Sequence, residues 1–133
     1  MSFQNVNWLS VVVATIATFA IGSIWYSPVL FSKAWQAELK IDMKNVKKPS
    51  IPLIFGTTFV LQFIAALVLD LFIGPFGTWK SGLHVGLLVS IGWIATTFGI
   101  NYLYSQKSFR LFLIDAGCYV VYFIIMGIIL GAW

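Results

Sequence analysis

Three ionisable side chains lie inside apolar stretches of this chain: Asp70, His84 and Asp115. An ionisable group among hydrocarbon is costly and points toward a protein partner, so these three mark where chemistry could occur. At about 1.5 Å of rise per residue, Asp70 and His84 fall at comparable depth in two successive apolar segments joined by a short loop. That spacing brings an Asp70–His84 pair within reach. A neighbouring carboxylate favours the charged imidazolium and burial opposes it, so the pair would form a proton-sensitive site. The structural alternative is a hydrogen bond that closes a helix pair near headgroup level.

Asp115 lies roughly 7 Å inside the last apolar segment by the same rise, and Asn101 falls at similar depth in the segment before it. On a helix, Asp115, Tyr119, Tyr122 and Met126 share one face, with Cys118 adjacent. Tyr26 ends the first apolar segment at the same level. Tyr26, Asn101, Asp115, Tyr119 and Tyr122 are therefore candidates for a polar pocket with a ligand-binding or proton-linked role. The alternative is a hydrogen-bonded cluster that fixes helix register. Arg110, five residues before Asp115, is poorly spaced to pair with it.

Other chemistry finds little support. One His and one Cys, placed near opposite ends of the spans, are not expected to make a metal site within one chain, and no cofactor is expected. Phosphate-loop and metalloprotease motifs are absent. A nucleophile, base and orienting group cannot be assembled around the single His. Enzyme activity is not expected.

The elements that would position these groups follow from composition. The 133 residues suit one domain, residues 1–133. They are 60% hydrophobic and 9% charged, with a mean hydropathy of +0.95. Average soluble proteins carry roughly a quarter charged residues. Four apolar blocks approach the roughly 20 residues a helix needs to cross hydrocarbon, and none alternates as a membrane barrel strand does. The expected fold is all-α: a polytopic membrane protein with four transmembrane helices in an up-down bundle, at about residues 8–26, 51–73, 82–104 and 110–133. The start of the chain lacks the basic region and cleavage site of a signal peptide, so the first helix is expected to be retained. The lone Cys118 cannot form an internal disulfide.

Pro28 removes an N–H and disfavours helix at Ser27, so the first helix should end there. From about residue 29 to 44 the pattern is amphipathic: Phe31, Trp35 and Leu39 on one side, Lys33, Gln36, Lys40 and Lys44 on the other. A short helix in the membrane interface fits, with Trp25, Lys33, Trp35, Lys40 and Lys44 at the lipid boundary; Lys47, Lys48 and Pro49 end it. In the first helix, Ser10, Ala14, Thr18 and Gly22 make a small-residue ridge for a helix neighbour, leaving Val12, Ile16 and Phe19 for lipid. Thr58, Gln62, Ala66 and Asp70 form a stripe on the second. The pairs Gly82–Gly86 and Gly127–Gly131 offer close-packing faces that could serve a second copy of the chain.

Of eight Lys and Arg residues, seven lie in the segments after the first and third helices, leaving Lys80 on the opposite side. The positive-inside rule then puts both basic segments in the cytoplasm and both termini outside the cell (inner) membrane. Trp8, Trp79 and Trp133 would form an outer aromatic belt, and Trp25, Tyr26, Trp35, Tyr102 and Tyr104 an inner one. The net charge of +4 is explained by the membrane surface rather than by nucleic acid.

The block Trp25-Tyr26-Ser27-Pro28-x-Leu30-Phe31-x-Lys33-x-Trp35 is distinctive, as are Ile114-Asp115-Ala116-Gly117-x-Tyr119, Met126-Gly127 and Gly131-x-Trp133. Together they resemble a prokaryotic domain-of-unknown-function family of small four-helix integral membrane proteins, over nearly the whole chain. Ser32 stands where such families commonly have a glycine. The resemblance implies the four-helix topology, singles out Trp25, Tyr26, Pro28, Trp35, Asp115, Gly117 and Tyr119, and carries no established activity.

Two functions are compatible with these features. One is a small transporter, channel or ligand-binding protein for a small molecule or ion, working as a homo-oligomer, with a dimer favoured because four helices enclose little interior. The other is an accessory or structural membrane protein that binds lipid or a partner through the cationic interfacial helix.

Overall fold

The computed structural model describes residues 2–39 and 51–133. Lys40, Lys44, Lys47, Lys48 and Pro49, expected in or just after the interfacial helix, lie outside the described residues. A short 3-10 turn (Phe3–Asn5) precedes α1 (Trp8–Trp25); α2 (Ser32–Leu39) and α3 (Ile51–Ile73) follow. The third long helix is continuous from Trp79 to Tyr104. It is composed of α4 (Trp79–Val89), a π-helical turn (Ser90–Ala95) and α5 (Thr96–Tyr104), and α6 (Phe109–Ala132) completes the chain. Among the described residues, four helices are long and apolar enough to cross a membrane. The expected all-α, four-helix membrane bundle is what the chain forms.

Side chains close the helix ends. The Asn7 carboxamide oxygen accepts from the N–H groups of Leu9 and Ser10 at 3.1 and 3.2 Å. Thr78 and Ser81 cap α4 reciprocally, and the Ser108 hydroxyl caps α6 through Leu111 N–H at 3.0 Å. Each satisfies donors that a helix start leaves free. Gly74 takes φ +80° in the turn between α3 and α4, a conformation open to glycine at little cost. At Pro28 the chain reverses: the Ser27 carbonyl accepts from Leu30 and Ser32 N–H, and Phe31 N–H donates to the Trp25 carbonyl.

Helix α6 is the centre of the bundle, packed against α1, α2, α3, α4 and the π turn. The first-helix ridge is buried as expected at Ser10, Ala14 and Thr18, joined by Val11 and Thr15. Their hydroxyls turn back onto helix carbonyls, Thr15 to Val11 at 2.8 Å and Thr18 to Thr15 at 2.9 Å. Val12 and Ile16 face outward. Phe19 does not simply face lipid: it packs edge-on against Phe55 and Phe59 of α3.

The glycine pairs are spent within the chain. A Cβ on Gly82 would lie 1.9 Å from the Gly127 carbonyl oxygen, one on Gly86 2.2 Å from that of Phe123, and one on Gly131 2.2 Å from that of Thr78. The two backbones therefore meet directly and antiparallel along α4 and α6. These glycines are not an open face for a second copy, because Gly82 packs on Gly127 and Gly131, and Gly86 on the backbone of Phe123 and Ile124.

Overpacking a close contact costs about 1–3 kcal/mol. Gly82→Ala and Gly127→Ala should each lower stability by that order in detergent unfolding. Gly56→Ala, where nothing lies within 4 Å of an added Cβ, should not.

Candidate functional site

Asp115 is 7% exposed, in the first third of α6. The Tyr26 hydroxyl donates to its Oδ1 at 2.7 Å, and the Tyr102 hydroxyl donates to its Oδ2. One phenol comes from the end of α1 and the other from α5, so the carboxylate ties the first, third and fourth spans together. Among the described residues no cationic side chain pairs with it. Arg110, one turn away, instead reaches Glu38 of α2 at 3.8 Å.

Local structure explains why Tyr26 reaches the carboxylate. It is the C-terminal cap of α1, and the Pro28 turn brings α2 back so that Trp35 packs edge-on against its ring, centroids 5.8 Å apart. Trp25 beside it donates its indole N–H to the Ile114 carbonyl at 3.0 Å and packs on Phe31. Both residues were expected in an aromatic belt, and Tyr26 also beside Asp115; their contacts tie α1, α2 and α6 together. Lys33 is exposed on α2.

Tyr119 and Tyr122 line a cleft of about 500 Å³ between α1, α3 and α6. Their rings meet edge-on, centroids 5.3 Å apart. Gly22 is what lets Tyr122 approach α1, since a Cβ there would lie 2.0 Å from its hydroxyl. Ser23, Tyr26, Thr58 and Gln62 supply the cleft's other polar groups, and Phe19, Ile54 and Phe55 its apolar wall. Thr18 reaches Gln62 Oε1 at 3.3 Å.

Two expected placements are not met. Asn101 is exposed and its side chain has no hydrogen-bond partner among the described residues; Tyr102 stands in its place at Asp115. The π turn is the reason. Gly82, Gly86 and Ser90 are buried along one face. Three turns beyond Ser90, at about 3.6 residues each, fall at Asn101. The widened turn inserts about one extra residue and rotates Tyr102 onto that face. The second misplacement is Asp70–His84. Among the described residues the two share neither hydrogen bond nor ion pair. His84 is exposed with Nδ1 2.7 Å from the Lys80 carbonyl, whereas Asp70 faces Ser2, Asn5 and Gly74. Equal depth did not bring equal azimuth.

Sequence reasoning missed Thr58, Gln62 and Ser23 as site residues. The signal for two of them was present in the polar stripe of the second helix, which runs Thr58, Gln62, Ala66 and Asp70.

Four apolar spans around a buried carboxylate with two phenol partners define an α-helical, multi-pass membrane protein. The chain belongs to the family described as protein of unknown function DUF1761, which matches residues 9–131. No curated protein and no solved structure matches it.

A hydrogen bond to a charged acceptor is worth about 1.5–3 kcal/mol. Tyr102→Phe should cost that order in unfolding experiments while Asn101→Ala is near neutral. In a chain lacking Gly92, which has nothing packed within 4 Å, the π turn becomes an α turn; the deletion removes the extra residue, so Tyr102 stays about three turns beyond Ser90 on the Asp115 face and both sensitivities should persist.

Proposed function

We propose that this protein binds a small molecule in the cleft between α1, α3 and α6. The observation that carries the reading is the cleft itself: about 500 Å³, lined by phenols, hydroxyls and a carboxamide together with Phe19, Ile54 and Phe55. Apolar walls with a few convergent polar groups are the general form of a small-molecule site. Beyond the cleft, toward the far end of α1, the bundle is filled by Val11, Ala14, Leu69 and Met126. A single copy thus supports binding better than conduction, and transport would require a rearrangement or a second copy joined through faces other than the glycine pairs. With the basic segments in the cytoplasm, by the positive-inside rule, the cleft belongs to the inner half of the cell membrane and both termini to the opposite side.

A second reading has its own support. The short helix α2 exposes Lys33 and is fastened to α6 through Glu38 and Arg110, which suits an accessory protein that docks on anionic lipid or a partner.

A bulky side chain on the cleft wall separates the two. Thr58→Trp should strip a co-purifying small molecule, seen by mass spectrometry of extracts, while the unfolding midpoint stays near that of the wild type. Identical extracts from both proteins, with no molecule retained by either, would favour the accessory reading.

A further inference from the structure

We infer that the ligand of this cleft is an organic monocation with an apolar body, of the size of a substituted alkylammonium; the inference rests on the cleft being a binding site. Four observations converge. Asp115 is buried, and among the described residues it has hydrogen-bond donors but no counter-charge. Its Oδ1 lies one phenol behind the cleft wall, through Tyr26. The wall carries five aromatic rings, Phe19, Phe55, Tyr26, Tyr119 and Tyr122. Arg110, the nearest cation in the α6 sequence, is engaged by Glu38.

These features select for charge type. A carboxylate in a low-dielectric interior exerts its field over several ångströms, so it attracts a cation and repels an anion without direct contact. Aromatic faces attract a weakly hydrated cation through their quadrupoles, which is the basis of aromatic cages for quaternary ammonium groups. A hard metal ion is not favoured: Ca²⁺ or Mg²⁺ needs six or so oxygen ligands, and both Asp115 oxygens already accept from phenols. The apolar part has a place as well. Ile54 and Phe55, at the start of α3, are lined up beside the polar groups and are 41% and 54% exposed. A tail directed along them would leave the cleft toward acyl chains.

The test is a charge series of nearly constant shape. The full chain in phosphatidylcholine nanodiscs is titrated calorimetrically with phenylbutyl-trimethylammonium, its neutral tert-butyl isostere, and phenylbutanesulfonate, with empty discs subtracted. Saturable binding of the ammonium is expected, about tenfold or more tighter than the neutral isostere, with none of the sulfonate. Thr58→Trp should abolish it. In Asp115→Asn, which still offers an acceptor to a phenol, ammonium and isostere should converge. Should that variant fail to fold, the wild-type series and Thr58→Trp still decide. Equal binding of ammonium and isostere, both blocked by Thr58→Trp, would overturn the charge assignment and leave the cleft as a ligand site. Ammonium binding that survives Thr58→Trp, or no saturable ammonium binding at all, would overturn the assignment too; the co-purification experiment then judges the cleft independently.

Discussion

A carboxylate taken out of water must be satisfied by whatever the fold brings to it. The cost of burying such an ion is several kcal/mol even after relaxation, and in this chain the compensation comes from two phenols. Neither belongs to the helix that carries Asp115. The hydrogen bonds can form only when the end of α1 and the whole of α5 are in place. The satisfaction of one side chain is thus conditional on the arrangement of three spans. Truncating one partner would leave the acceptor short of a donor in a place where water cannot easily substitute.

That dependence reaches beyond the spans. Tyr26 sits in the cap of α1, where a frayed helix end would leave it free to swing out. The Pro28 reversal and the packing of Trp35 hold the ring in place, and Trp25 fixes the same corner to the backbone of α6. The short α2 therefore matters to the interior as much as to the surface. Its tie to Arg110 is a partly exposed ion pair and contributes little by itself; the aromatic contacts are the stronger constraint.

The spans were legible because hydrocarbon thickness dictates the length of an apolar helix, and Pro28 and the Gly74–Gly77 stretch punctuate the chain unambiguously. The meeting of Tyr26 with Asp115 was legible from depth, since both are counted from helix ends that are well marked. What depth cannot supply is rotation about the helix axis. Asp70 and His84 match in depth yet face different neighbours, and Asn101 yields to Tyr102 because a π turn changes azimuth without a sequence signature of its own. The glycine pairs announced a close contact but not its partner: a small-residue face reads the same whether it meets its own chain or another. Phe19 was assigned to lipid on the strength of its face alone, whereas a large ring reaches sideways to α3.

The α4–α6 seam has a thermodynamic consequence of its own. Its glycines bring backbone against backbone, so its cohesion comes from dispersion and from Cα–H groups facing carbonyl oxygens. Separating the two helices within a bilayer exposes them to acyl chains and hydrates no new apolar surface. The large heat capacity that accompanies unfolding in water arises from such hydration. This interface should accordingly hold with nearly constant enthalpy from cold to warm. It lacks the weakening on cooling that a water-driven core displays, and cold inactivation of this protein would have to begin elsewhere.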